Sequence, residues 1–205
     1  LKQEISPERR EKYRDVLEKQ TSQLEALIED IIEITALDSG KAVTVWDPIT
    51  FGSLIEGCMA SHQSQAAVKG IALRLSPLPP AIPTVKGDQH RLSQALHEII
   101  ENAVIFTPAG GEITLALETQ ENHERTWVVL SVHDTGPGIA PDEKESIFGR
   151  FYRGKLAESG HVPGTGLGLS IVYEIMRAHG GQVTVESQEG AGSTFKLWLP
   201  AIPDL

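Results

Sequence analysis

The 205-residue chain has a single cysteine, Cys58, which excludes an internal disulfide and any zinc site built on several thiolates. It has no apolar run near the roughly 20 residues that a membrane-spanning helix requires. Its first residues, Leu1-Lys2-Gln3-Glu4, do not read as a signal peptide. Positive charge is in short supply: 18 Lys and Arg stand against 28 Asp and Glu, a formal net charge of −10. Such a surface repels phosphate backbones and anionic lipid, which argues against nucleic acid or a membrane surface as partner. With one thiol and no framework of disulfides, a reducing, cytoplasmic setting is expected. The hydrophobic content of 40% suffices for a packed core and excludes a mainly disordered chain.

Proline and glycine are scarce only at the beginning. Residues 1–40 hold Pro7 and Gly40 and no others of either kind, yet carry sixteen of the forty-six charged side chains. Few breakers and dense charge predict one long helix. Ser6-Pro7-Glu8 opens it with an N-cap, a first-turn proline and a first-turn acid, and Asp38-Ser39-Gly40 closes it. Leu17, Leu24 and Ile31 recur seven apart, and Tyr13, Gln20, Leu27 and Ile34 form a second row. The two rows make one seam, the pattern of a helix that packs in a bundle.

From about residue 42 the pattern is mixed. Val43–Trp46 and Ile71–Leu75 read as strands around a helix from Ile49 to about Val68. The proline-rich stretch 76–83 must be loop. Asp88 opens a helix with Leu92, Leu96, Ile99, Ile100 and Ala103 on one face. Residues 112–117 and 127–132 read as a hairpin, a helix follows Gly168, and strands over 182–186 and 194–199 end the chain.

Three features carry chemistry. The first is Asp134-Thr135-Gly136-Pro137-Gly138, directly after a strand. Its glycines let backbone approach a ligand, and its aspartate can accept a hydrogen bond from an exocyclic amine. Alone, it fits a plain turn equally well. The second is Gly164-Thr165-Gly166-Leu167-Gly168 running into an apolar helix, where unpaired N–H groups and the helix dipole suit phosphate. A dinucleotide fingerprint is the competitor. It is opposed by Leu169 at the sixth position and by loop rather than strand over 158–163. The third is Glu98 with Asn102, four residues apart on one helix face, hard oxygen donors suited to Mg²⁺ or its waters. His97-Glu98-Ile99-Ile100-Glu101 is no zinc-protease motif, because Glu101 stands where a second histidine is needed.

In order, the Asn helix (Arg91–Ala103), the Asp134–Gly138 turn, the segment Phe148-Gly149-Arg150-Phe151-Tyr152-Arg153, the Gly164–Gly168 loop and the tail Gly190–Phe195 resemble the nucleotide-binding boxes of sensor histidine kinases. These belong to the GHKL superfamily shared with gyrase, heat-shock chaperone and mismatch-repair proteins. The resemblance spans essentially the whole chain. It implies an α+β fold, an α/β sandwich with helices on one face of a mixed sheet, over residues 42–205. Residues 1–41 would be the second helix of the dimerisation bundle. It also implies ATP and Mg²⁺ as ligands. Asn102 would hold the metal, and Asp134 would read the adenine amine. Gly136 and Gly138 would make room for base and sugar. Gly164, Thr165, Gly166, Leu167 and Gly168 would line the phosphates, and Thr194, with Ser193, would support the adenine pocket. Residues 140–163 would form a lid anchored by Phe148 and Phe151. Glu98 would orient a metal water or act as base. A response regulator receiver domain and a second copy of the chain are the implied protein partners.

Two departures matter. Where the family has Lys or Arg three residues after the asparagine, this chain has Ile105. Arg150, Arg153 and Lys155 in the lid are the candidates to replace that cation on phosphate. None of the seven histidines has the phosphoacceptor context ahead of the long helix, so the chain is expected to bind ATP without phosphorylating itself. A serine kinase of the anti-sigma type and a non-enzymatic nucleotide-binding scaffold are the alternative readings.

Overall fold

The computed structural model describes residues 7–38, 46–122, 125–159 and 164–202. The caps expected at Ser6 and at Ser39–Gly40, and the strand expected over Val43–Val45, lie outside those residues. Helix α1 runs over Pro7–Asp38, as the lack of breakers requires. Its two heptad rows part ways. Leu17, Leu24 and Ile31 are exposed, whereas Leu27 is half-buried against the core and Ile34 is buried. The C-terminal half of the second row thus lies on the rest of the chain, where α1 packs along helix α5 (Gly168–Ala178).

Two more helices complete the apolar layer. Helix α2 (Phe51–Lys69) buries Phe51, Leu54, Ile55, Cys58, His62 and Ala66, a stripe at helical spacing, and stops at Gly70 in the left-handed conformation. Helix α3 (Gln89–Phe106) starts at Asp88, whose Oδ1 accepts from the N–H groups of His90 and Arg91 at 3.1 and 3.2 Å. It buries Leu92, Ala95, Leu96, Ile99, Ile100, Ala103 and Val104. Reducing a fully buried member such as Leu96 or Ile99 to alanine costs about 2–5 kcal/mol.

Beneath the helices lies a five-stranded mixed sheet. Strand β1 (Asp47–Pro48) pairs only with β3 (Lys86–Gly87). The main sheet comprises β2 (Ala72–Leu75), β4 (Glu112–Asn122), β5 (Arg125–Asp134), β6 (Gln182–Gln188) and β7 (Gly192–Pro200). Their order is β2-β4-β5-β7-β6, with β2 parallel to β4 and the other neighbours antiparallel. Alternate residues Ile113, Leu115 and Leu117, Val128, Leu130 and Val132, and Phe195, Leu197 and Leu199 face the helices and are buried. The other face carries Thr114, His133, Thr194, Lys196 and Trp198, so the helices lie on one side only. A short helix α4 (Lys155–Ser159) completes the described elements.

His179 ties the helical layer together. Its Nε2 accepts from the Asp88 N–H at 2.9 Å, and its Nδ1 lies 2.8 Å from the Ile175 carbonyl. The first bond makes Nε2 the acceptor, so Nδ1 carries the proton and the ring is neutral. Burial holds its pKa below the ordinary histidine value.

Candidate functional site

Asp134 ends β5 on the helix-facing side and is buried. Its Oδ1 accepts from the Gly136 N–H at 2.8 Å, which closes the turn on the carboxylate. Burial pushes the carboxyl above the usual aspartate value, while the Gly136 N–H, His133 and the Ser193 N–H draw it part of the way back. The turn is packed to its limit. A Cβ on Gly136 would lie 2.6 Å from Asp134 Oδ1. Gly138 has φ +72° and faces the Gln188 carbonyl with no space for a side chain, and Gly192, at φ +91°, faces the Asp134 carbonyl likewise. The Gly190 N–H donates to the Pro137 carbonyl at 2.6 Å, and Ser187 Oγ accepts from the Ile139 N–H at 2.8 Å. The Asp134–Gly138 turn and the β6–β7 turn therefore form one interlocked unit.

Helix α3 links this turn to the second glycine cluster. At its C-terminus, the Phe106 carbonyl would lie 3.3 Å from a Cβ on Gly136. Two turns earlier, the Glu98 carboxylate lies directly against Gly168, where it would collide with a Cβ. Asn102 is half-buried midway between them, about 6 Å along the axis from each by helix rise. Glu98, Asn102, Asp134 and Gly168 are thus brought to one side of α3. Glu98 sits against Gly168 at the positive end of the α5 dipole.

The Gly164–Gly168 loop contributes both backbone and a core anchor. Gly166 has φ +75°, and a Cβ there would lie 2.8 Å from the Tyr152 carbonyl oxygen. Thr165 Oγ1 accepts from the Leu167 N–H at 3.2 Å, and the Leu167 side chain is fully buried. Leu167 therefore offers a ligand only its backbone. Among the described residues, nothing lies within 4 Å of a Cβ placed on Gly164.

Between the clusters, residues 140–159 wrap around a carboxylate that pattern reading passed over. Glu143 is buried, and its Oε1 accepts from the Lys155 N–H at 2.9 Å and the Tyr152 hydroxyl at 3.2 Å. Phe148 packs on Tyr173 and edge-on to Phe195, each at 6.5 Å between ring centroids. Phe151 is no anchor: it is 59% exposed, and its backbone is held at φ 60°. The expected pair of anchors reduces to one because Gly166 crowds the Phe151 backbone and turns its ring outward. The lid cations have protein partners. Arg150 pairs with Glu174 at 3.8 Å, Arg153 donates to the Ala157 carbonyl at 3.2 Å, and Lys155 pairs with Asp142 at 2.9 Å. Beside them, Gly138, Ala140, Asp142, Lys155 and Glu189 line a cavity of about 360 Å³ that touches neither Asp134 nor Asn102.

One further placement differs from the sequence reading. Thr194 Oγ1 lies 3.0 Å from His133 Nδ1 on the sheet face away from the helices, so the sheet separates it from the site. Its neighbour Ser193 has the opposite parity, is buried, and shares a 3.0 Å hydrogen bond with Ser187. His133 is a strand residue opposite Thr194, outside the glycine turn. At Ile105 the side chain supplies no cation, but the Lys69 ammonium from α2 donates to the carbonyls of Val104 and Ile105 at 2.7 and 2.5 Å.

The family model for histidine kinase-, DNA gyrase B- and HSP90-like ATPases matches residues 87–203, more than half of the chain. The adaptive-response sensory kinase SasA of Prochlorococcus marinus is 32% identical over 193 residues, 93% of this chain and 50% of that protein. Full-length ShkA, solved in complex with AMPPNP, is 30% identical with a TM-score of 0.75, covering 99% of this chain and 41% of its own. The catalytic domain of the histidine kinase ThkA, in a nucleotide-free form, is 27% identical with a TM-score of 0.64 over 78% of this chain and all of its own. The chain spans about half the length of the first curated relatives it matches. With an aspartate-glycine turn at the end of a central strand and a glycine loop opening α5, and with a family model over most of its length, the chain is an ATP-binding domain of the sensor histidine kinase type, a member of the histidine kinase-, gyrase B- and HSP90-like ATPases.

Proposed function

We propose that this domain binds Mg-ATP and, in its intact protein, transfers the γ-phosphate to a histidine for relay to an aspartate on a response regulator. The observation that carries the reading is the buried Asp134 carboxylate at the head of the glycine turn, held by the Gly136 N–H, which would accept a hydrogen bond from the adenine amine. Gly136 and Gly138 admit base and sugar by having no side chain. The N–H groups of Gly164–Gly168, at the positive end of α5, meet the phosphates. ShkA was solved with an ATP analogue, which supports the choice of nucleotide. A calorimetric titration of Mg-ADP and Mg-GDP tests it. Adenine is preferred by the wild type and not by Asp134→Asn, and equal binding of the two nucleotides by the wild type refutes the reading.

The donor set fits magnesium. Asn102 offers a carboxamide oxygen and Glu98 a carboxylate one turn away, both hard ligands. Asn102 would hold the ion directly and Glu98 would orient one of its waters, or accept a proton. When bound, the ion supplies neutralisation of phosphate charge; the protein's own part is positioning. Arg153 and Lys155 would exchange their partners in the lid for phosphate oxygens as the lid, residues 140–163, closes.

Residues 1–41 would form half of a dimerisation bundle. The row Leu17, Leu24 and Ile31 with Val16, Ile28 and Ile32 is exposed along α1, a seam that a second copy would cover. Dimerisation that is lost when Leu24 and Ile31 become aspartate checks this by sedimentation. Among the described residues no helix is long and apolar enough to cross a membrane. Use of ATP would put the domain on the cytoplasmic side.

A second reading, a nucleotide-binding scaffold without transfer, is favoured by Ile105. Acceptor helix added in trans with Mg-ATP separates the two: phosphohistidine supports the kinase and its absence the scaffold.

A further inference from the structure

Helix α3 ends without help from its own sequence. Its last turn contains no basic residue, and Thr107, not glycine, follows in an extended conformation. Four terminal carbonyls need partners. That of Ala103 accepts from the Thr107 N–H at 2.9 Å, and that of Phe106 abuts the Gly136 turn. The other two, Val104 and Ile105, are both taken by the ammonium of Lys69, thirty-five and thirty-six residues away on α2. The same junction is bonded again by the Gly110 N–H to the Gly70 carbonyl and the Ala72 N–H to the Gly111 carbonyl, each at 3.0 Å. From there, Thr135 Oγ1 accepts from the Glu112 N–H at 2.9 Å. An unbroken path of contacts runs from Lys69 through the end of α3 and the 107–112 loop to the residue after Asp134.

We propose that Lys69 is a positioning residue for nucleotide recognition: by clamping the last two free carbonyls of α3, it sets the distance between the Asn102 turn and the Asp134–Gly138 turn. It does this as a cation at the negative end of the α3 dipole, where the helix itself provides none. The charge at this end of α3 comes from a neighbouring helix and serves geometry, not phosphate contact. The inference rests on the adenine reading given above.

The test uses the 205-residue chain and the ratio of dissociation constants for Mg-GDP and Mg-ADP. Lys69→Met removes the donor while keeping the aliphatic stem, and Lys69→Arg keeps the charge and can reach both carbonyls. The expected result is a five- to tenfold fall in the ratio for Lys69→Met and its recovery in Lys69→Arg, with both variants folded by circular dichroism. A merely structural lysine would lower the melting temperature and leave the ratio of the folded protein unchanged, and that result overturns the proposal. Should Lys69→Met not fold, Lys69→Gln, which retains an N–H donor, takes its place under the same criterion. Failure of the wild type to prefer ADP would instead strike the adenine reading.

Discussion

The two glycine-rich turns on either side of α3 are built in opposite ways. The Asp134–Gly138 turn is locked: Gly138 and Gly192 have positive φ and no space for a side chain, and the turns exchange hydrogen bonds through Ser187, Pro137 and Gly190. The Gly164–Gly168 loop is held from Gly166 onward, by the Tyr152 backbone and the Leu167 side chain, while among the described residues nothing crowds Gly164. A base is rigid and planar, and a buried carboxylate can read it only if the turn does not yield. A polyphosphate is flexible, and backbone N–H groups can gather around it once it arrives. The locked turn has an energetic cost. Burial pushes the Asp134 carboxyl above the usual aspartate value, so its ionised form is held against the preference of its surroundings.

The sharpest break of this contrast is Asp134→Asn. The variant keeps an oxygen for the Gly136 N–H but turns the second acceptor into a donor facing an amine. Affinity for Mg-ADP should fall on the order of 100-fold by calorimetry. Because the folded pKa lies above the unfolded value of 3.8, the native state binds the proton more readily than the unfolded state. The stability this provides is complete below pH 3.8 and is lost as pH rises through the folded value. Above the folded value that contribution is gone, and the variant should melt no lower than the wild type. A lower melting temperature would mean that Asp134 is structural.

Next in size is a pair of glycine substitutions. Gly138→Ala forces a Cβ into the Gln188 backbone at positive φ and should lose about 2–4 kcal/mol in urea denaturation. Gly168→Ala meets only the end of the Glu98 side chain, which can swing away, and should lose under ~1 kcal/mol. Equal losses would erase the distinction between a locked and an open turn.

Removing Arg153 and Lys155 together should lower Mg-ATP affinity about fivefold while changing stability by less than ~1 kcal/mol, since the Lys155–Asp142 pair is exposed. Unchanged affinity would leave the phosphates to backbone alone. The smallest effect is on pH. His179 is held neutral by burial and by its bond from the Asp88 N–H. Its depressed pKa makes its contribution complete above the unfolded value of 6.5 and lost as pH falls below it. His97 is depressed likewise. The melting temperature should decline from pH 7 to 5, and less steeply in His179→Gln.

Much of the fold was legible because its elements obey local rules. Asp88 caps α3, the Leu92–Ala103 stripe faces inward, and Gly168 opens α5, all as spacing predicts. Where reading stopped short, the reason is physical. Strands β4 and β5 extend to Asn122 and back from Arg125, although residues 118–122 are polar on both faces, because ladder hydrogen bonds continue beyond the core. Strands β1 and β3, two residues each, have no periodicity to detect. Thr194 and Ser193 differ only by the parity of β7, which pairing with β5 decides. Glu143 looks like one lid acid among several until Tyr152 and Lys155 fold back onto it. Phe151 looks like an anchor until the Gly166 backbone takes the space beneath it.

By itself the sequence determined the two turns, the helix between them and the nucleotide chemistry they suit, because glycine freedom, capping and apolar spacing act within a few residues. Only the tertiary structure decided which face Thr194 takes, which lid carboxylate is buried, and that Lys69 closes the end of a helix thirty-five residues away. Those outcomes depend on register and on long side chains finding partners across the fold, and no local pattern encodes such meetings.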